Sequence, residues 1–130
     1  MEGTAANAGF AAAAVLSLIT FAVHTFVGGR FAARPLLAAH DFDKASCWLN
    51  YMTWHMVTVL LLVMALGYGV AAVRPGSADV AILLTLVAVI LSPLSIWVAM
   101  KGGIAPWRFP SSWLFALIAI AAGWGLFAAH

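Results

Sequence analysis

Two histidines lie within strongly apolar stretches of this chain, and they are the side chains best suited to chemistry. His24 lies in a run of Ala, Val, Leu and Phe, and His55 lies in a second apolar run that begins at Cys47. A charge at the bilayer centre costs roughly 2.5 kcal/mol or more, so an ionisable residue at that depth marks a candidate site. Histidine is the least costly, because it can remain neutral while it binds a ligand, a metal or a proton.

The elements that must hold these histidines are apolar spans. The chain has 130 residues, of which 65% are hydrophobic and 8% charged. About 20 apolar residues cross a hydrocarbon core of about 30 Å, and windows of that length give four spans over 1–130. They are Ala6–Gly29, Cys47–Val73, Asp79–Met100 and Ser111–Ala129. Because the connections are short, we expect a single all-α domain, a four-helix bundle of up-down-up-down topology.

The basic residues predict an orientation. Arg30, Arg34, Lys44, Lys101 and Arg108 lie on the first and third connections, whereas only Arg74 lies on the other side. The positive-inside rule places the first and third connections in the cytoplasm, so both termini are expected on the opposite side. The formal charge of +2 then has a membrane explanation, and we expect no nucleic-acid partner.

The first connection, 30–46, is the longest and most polar. Pro35 is expected to stop the first helix, because it has no N–H and its ring clashes with the preceding turn. A short interfacial helix is predicted after it, within 34–44, with Asp41 or Asp43 capping the second span. In the third span, Pro93 predicts a bend.

Polar residues form a stripe on each of the first two spans. At 100° per residue, Ser17, Thr20, His24 and Gly28 share one face of the first span. The corresponding stripe on the second span comprises Trp48, Tyr51, His55, Thr58 and Leu62. Polar stripes in lipid are expected to face protein. We therefore predict that both imidazoles face the bundle interior at similar depth.

The candidate binding site is this pair of histidines together with the polar residues beside them. Its members are His24, His55, Arg30, Arg34, Tyr51, Thr58 and Thr20. His24 and His55 are also the candidate ligands for any metal, and no residue is assigned a catalytic role. Structural roles compete with this interpretation: interhelical hydrogen bonding for the histidines and lipid contact for the arginines. The tryptophans are interpreted first as membrane-interface residues.

Three segments carry a resemblance to known proteins. HTFVGGRFAARPLL (24–37), CWLNYMTWHMVT (47–58) and PSSWLF (110–115) together resemble a family of small four-span bacterial inner-membrane proteins. The resemblance implies a multi-pass protein of the bacterial inner membrane, with both termini in the periplasm on the orientation above. It implies no activity and no catalytic residues.

Three classes of function are consistent with these residues. The first is a binding or accessory protein that holds a small molecule, a lipid or a partner subunit at the His/Arg cluster, alone, as a homo-oligomer or in a larger membrane complex. The second is a b-type haem protein with His24 and His55 as axial ligands. The third is a small proton-coupled transporter that relies on the histidines. An enzyme has the least support, because the metal and triad motifs of known hydrolases are absent from the sequence.

Overall fold

A computed structural model describes residues 2–74 and 76–129, which form an all-α bundle without a strand. The elements in chain order are α1 (Glu2–Ala22), a π-helical segment (Val23–Ala33), α2 (Arg34–Ala38), α3 (Lys44–Val73), α4 (Ala78–Lys101), a 3-10 turn (Pro106–Arg108) and α5 (Pro110–Phe127). Four helices of this described part are long and apolar enough to cross a membrane. Helices suit the hydrocarbon interior of a membrane because each one satisfies its own backbone hydrogen bonds. The predicted fold class is confirmed.

The four long helices pack as a ring. α1 contacts α3 and α5, and α4 contacts the same two helices. The connections 39–43 and 102–109 therefore lie at one end of the bundle, which we call the loop end. The start of α1, the end of α5 and residues 74, 76 and 77 lie at the other, the terminal end.

The first span is longer than the sequence predicted. α1, the π-helical segment and α2 run on as one helical stretch, and the part long and apolar enough to cross a membrane is Thr4–Ala38, of 35 residues. The expectation that Pro35 stops the helix is therefore wrong. Pro35 lies in the first turn of α2, just after the Arg34 N–H closes a five-residue hydrogen bond to the Gly29 carbonyl. A proline at this change of hydrogen-bond register has no N–H to leave unpaired, so the helix tolerates it.

The predicted cap of the second span is confirmed at Asp43. Its carboxylate accepts hydrogen bonds from the Ser46 hydroxyl at 2.5 Å and from the Ser46 N–H at 3.0 Å. Because those two groups favour the ionised form, the pKa of Asp43 lies below its usual value. α3 consequently begins at Lys44, three residues before the predicted start.

The other predicted helix ends differ in detail. α5 begins with Pro110, and no side chain caps it, because a proline at the first helical position has the helical φ already set. Ser77 holds the cap position of α4 without a capping hydrogen bond. α4 continues through Pro93, and its predicted bend stays a prediction. The Ser92 hydroxyl donates to the Ser112 carbonyl at 3.0 Å, which ties α4 to α5 near that proline.

Small residues bring α1 and α5 together at the terminal end. A Cβ atom added to Gly9 would lie 2.6 Å from the Gly125 Cα, and one added to Gly125 would lie 2.7 Å from the Phe10 ring. Both glycines are buried. Close backbone approach of this kind is the usual way in which membrane helices gain packing energy.

Candidate functional site

The π-helical segment is the first unusual feature of the loop end. It covers 11 residues, VHTFVGGRFAA, and contains His24, the Gly28–Gly29 pair and Arg30. A π-helix is wider than an α-helix, and short π-helical turns occur frequently at functional sites. Here the widened turns face α3 at the level of Trp54, because a Cβ atom added to Gly28 would lie 2.5 Å from the Trp54 ring. The absence of a side chain at Gly28 therefore leaves room for the edge of the Trp54 indole ring.

Trp54 and His24 join the first span to α3. Their rings stack at 3.9 Å between centroids with an interplanar angle of 18°. The His24 Nε2 atom also lies 3.1 Å from the Trp54 carbonyl oxygen. Since a carbonyl only accepts, Nε2 must carry the proton, and Nδ1 is the acceptor of the neutral ring. The Thr58 hydroxyl donates to the same carbonyl at 3.2 Å.

A basic cleft of about 590 Å³ borders Trp54. It separates the π-helical segment and α2 from the start of α3. Its walls combine cationic, hydroxyl-bearing and apolar side chains: Arg30, Arg34, His55, Tyr51, Thr25, Phe26, Leu37, Trp54, Gly29 and Ala33. None of these described residues is acidic. Tyr51 and His55 pack edge to face at 4.5 Å, and the Thr25 hydroxyl is buried without a hydrogen-bond partner in the described part of the chain.

A second compartment, the inner cavity, also borders Trp54 and has a volume of about 160 Å³. It is partly open and lies between the first span, α3 and the start of α5. Its lining is Thr20, His24, Gly28, Ala32, Trp54, Val57, Leu61, Phe109, Pro110, Ser111, Leu114 and Phe115. Trp54 is the wall shared with the basic cleft.

The predicted site residues thus separate into two groups. Thr20 and His24 line the inner cavity, whereas Arg30, Arg34, Tyr51 and His55 line the basic cleft. Thr58 is among the described lining residues of neither compartment; its hydroxyl donates to the Trp54 carbonyl.

The expectation that both imidazoles face the interior holds for His24 and is wrong for His55. His24 is half-buried and bonded across the interface, but His55 is exposed and also borders an apolar groove on the outer face of α3. The reason is the position of the face of α3 that packs inside the bundle. This face contains Trp54, Leu61 and Tyr68 at seven-residue spacing, and Leu61 and Tyr68 are buried. One residue further along, His55 is turned away by about 100°.

The polar stripe of the first span behaves as predicted. Ser17 and Thr20 are buried, and each donates to the carbonyl four residues earlier, at 2.8 and 2.7 Å. Both hydroxyls are satisfied within their own helix.

The two histidines do not fit a bis-histidine haem. A haem would have to lie between the two imidazoles, yet the Trp54 indole is already stacked on the His24 ring. The Nε2 atom of His24 is held by the Trp54 carbonyl. Among the described residues, moreover, no three His, Cys, Asp or Glu side chains group closely enough to hold a metal ion.

Sequence reasoning missed Trp54, which it assigned to the membrane interface. Trp48, Trp97 and Trp107 are exposed, as interface residues are, but Trp54 is half-buried between two compartments. A signal was present in the Gly28–Gly29 pair, because glycine within an apolar helix indicates close approach by a neighbour.

Comparison with known proteins gives no match for this chain among protein-family models, curated proteins or solved structures.

Proposed function

We propose that this protein is a small integral membrane binding protein that holds an amphiphile with an anionic head group in the basic cleft. The observation that carries the proposal is the pairing of Arg30 and Arg34 with apolar walls in one cleft that has no acidic side chain among its described lining residues. Guanidinium groups bind phosphate and carboxylate oxygens bidentately, while Phe26 and Leu37 offer contact to a hydrocarbon chain.

Three further groups in the cleft support a polar ligand head. The Thr25 hydroxyl has no partner among the described residues, and a buried polar group without a hydrogen bond costs about 1–3 kcal/mol. A ligand oxygen would satisfy it. The Tyr51 hydroxyl and the His55 ring lie in the same wall and supply further hydrogen-bonding positions.

Membrane position favours a ligand from the bilayer. The first span has 35 residues, or about 50 Å at 1.5 Å per residue, which exceeds a hydrocarbon core of about 30 Å. Arg30 and Arg34 belong to the last third of that span, where head-group phosphates lie. We propose that the loop end faces the cytoplasm of a bacterial inner membrane, with both termini periplasmic, because five of the six Lys and Arg residues lie at or near that end.

The test is lipid binding to the detergent-solubilised protein by native mass spectrometry. Dioleoyl phosphatidylglycerol is the anionic probe, and dioleoyl phosphatidylcholine, with its zwitterionic head group, is the comparison. The matched pairs are Arg30→Gln/Arg34→Gln, in the cleft, and Lys101→Gln/Arg108→Gln, which remove the same charge from the loop end outside it.

We expect the cleft pair to weaken phosphatidylglycerol binding at least about tenfold, since hydrogen bonds to charged groups are worth about 1.5–3 kcal/mol. The outer pair should retain most of it. Equal losses in both pairs would indicate unspecific charge attraction and would contradict the proposal, as would an unchanged affinity in the cleft pair.

A further inference from the structure

The inner cavity has a size that corresponds to a single ring. Its volume of about 160 Å³ is close to that of an engineered apolar cavity of about 150 Å³ that binds benzene. Four aromatic side chains contribute to its walls: His24, Trp54, Phe109 and Phe115. Aromatic walls favour a flat ring over a branched aliphatic group, because ring pairs gain about 0.5–1.5 kcal/mol beyond simple burial.

Two polar groups on the wall remain available. Thr20 is not one of them, because its hydroxyl donates to the Leu16 carbonyl at 2.7 Å. The Ser111 hydroxyl makes no hydrogen bond within the described part of the chain. For His24, the bond from Nε2 to the Trp54 carbonyl leaves Nδ1 of the neutral ring as an acceptor.

A wall with one acceptor and one hydroxyl is matched by a ligand with one hydroxyl group. A hydroxyl group can donate to the imidazole Nδ1 or accept from the serine hydroxyl. An unsubstituted ring would leave both positions empty, and a charged ligand would be poorly accommodated among apolar side chains such as Leu61 and Leu114.

We propose that the inner cavity is a second binding site, distinct from the basic cleft, which takes one six-membered aromatic ring that carries a hydroxyl group. A simple phenol is the model ligand. The inference does not depend on the proposed function, because none of the described residues that line this cavity is an arginine and it shares only Trp54 with the lining of the basic cleft.

The experiment is fluorine NMR of 4-fluorophenol and of fluorobenzene with the detergent-solubilised protein. Val57→Phe fills the cavity, since Val57 lines it. Val59→Phe is the matched control, because Val59 lies on the same helix with 59% of its side chain exposed. Ser111→Ala removes the free hydroxyl with little change in volume. Ala32→Leu replaces Val57→Phe as the filling variant if the latter does not fold.

We expect a bound 4-fluorophenol signal that disappears in the filling variant and persists in Val59→Phe. Ser111→Ala should weaken 4-fluorophenol about fivefold and leave fluorobenzene unchanged. Fluorobenzene itself should bind the unmodified protein about tenfold more weakly than 4-fluorophenol, because a net hydrogen bond is worth about 0.5–1.5 kcal/mol.

Three results would overturn the proposal. A signal that survives filling shows partition into detergent. Equal affinity for the two probes, or no response to Ser111→Ala, removes the hydroxyl recognition. Absence of any bound signal leaves a cavity filled by water or detergent and no ring site.

Discussion

The two ends of this bundle are built in opposite ways. At the terminal end, Gly9 and Gly125 let the backbones of α1 and α5 touch, so that an added Cβ atom would meet main-chain atoms. At the loop end, Gly28 opposes an indole ring instead of a backbone, and two compartments border that ring. The backbone contact leaves no room for a ligand between α1 and α5. A cleft of about 400 Å³ does lie beside it, but Arg74 is the single cation among its described lining residues, whereas the basic cleft has both Arg30 and Arg34.

Polar groups follow the same division. In the terminal-end half, the Tyr68 hydroxyl lies 3.2 Å from the Thr85 hydroxyl, which donates to the Ala81 carbonyl at 2.6 Å. In the loop-end half, by contrast, the buried hydroxyls of Thr25 and Ser112 have no partner among the described residues, and the Ser111 hydroxyl makes no hydrogen bond with them either. Satisfied polar groups stabilise a helix pair, and unsatisfied ones offer positions for a ligand.

The largest expected effect comes from disrupting the contact between Gly9 and Gly125 at the terminal end. Gly9→Ala should lower the free energy of unfolding by about 2 kcal/mol, because the new methyl group meets backbone that must shift. Gly123→Ala is the control, since a Cβ atom there meets nothing within 4 Å and alanine stabilises a helix relative to glycine. Unfolding by SDS titration in mixed micelles measures both. Similar losses in the two variants would show that the terminal end is not close-packed.

A smaller effect is expected when the contact between His24 and Trp54 at the loop end is removed. A double-mutant cycle of His24→Ala and Trp54→Ala should give a coupling energy of about 1 kcal/mol, from the stacking of the two rings. The hydrogen bond from His24 runs to a backbone carbonyl and survives in Trp54→Ala, so the cycle reports mainly the stack. Additive losses would mean that the two rings do not interact.

Gly28→Ala tests whether an added Cβ atom costs less stability when its neighbour is a side chain than when its neighbour is backbone. The added Cβ atom meets only the end of the Trp54 ring, which can rotate, so we expect a loss of about 1 kcal/mol, less than for Gly9→Ala. The displaced indole should shift its fluorescence emission. Gly29→Ala, where nothing lies within 4 Å, should not lower the stability and should leave the emission unchanged. A loss of stability or an emission shift in that variant would mean that the effect comes from the helix and not from the contact with Trp54.

The smallest expected effect is the pH dependence of the Asp43 cap. Its pKa is lowered in the folded protein by the hydrogen bonds from Ser46. The stabilisation is therefore complete above the unfolded-state pKa, about 3.9, and is lost as the pH falls through the lower folded-state pKa. Asp43→Ala should remove this acid-side decline in an SDS titration repeated from pH 6 to pH 3. An unchanged decline would place the titrating group elsewhere.

Most of the fold follows from the sequence, because hydropathy and length decide which segments cross a membrane. The second, third and fourth spans were placed within three residues of their helix ends, and Asp43 was recognisable as a cap by its residue type. The first span was underestimated because Gly28, Gly29 and Pro35 are helix breakers in water, whereas a change of hydrogen-bond register accommodates them here.

The candidate site was less accessible to sequence reasoning. A stripe at 3.6-residue spacing identifies the face of a straight α-helix, and this correctly turned Ser17 and Thr20 inward. It failed for His55, because the stripe chosen on α3 was one residue away from the inward face that contains Trp54, Leu61 and Tyr68. The contact between Gly9 and Gly125 joins distant parts of the chain, and no local pattern pairs them.

The central claim, that the loop end binds an anionic amphiphile and the terminal end does not, can be tested with two single-tryptophan proteins. In one, Trp54 is retained at the loop end, and in the other Trp124 near the terminal end; the remaining tryptophans are replaced by phenylalanine. Each is reconstituted in phosphatidylcholine bilayers that contain a minor fraction of brominated phosphatidylglycerol or, for comparison, brominated phosphatidylcholine. Bromine quenches a tryptophan that it contacts.

We expect Trp54 to be quenched more strongly by the anionic lipid than by the zwitterionic one, with the preference abolished by Arg30→Gln/Arg34→Gln. Trp124, of which 61% is exposed, should show no such preference. Equal quenching of Trp54 by the two lipids, or the same anionic preference at Trp124, would contradict the account.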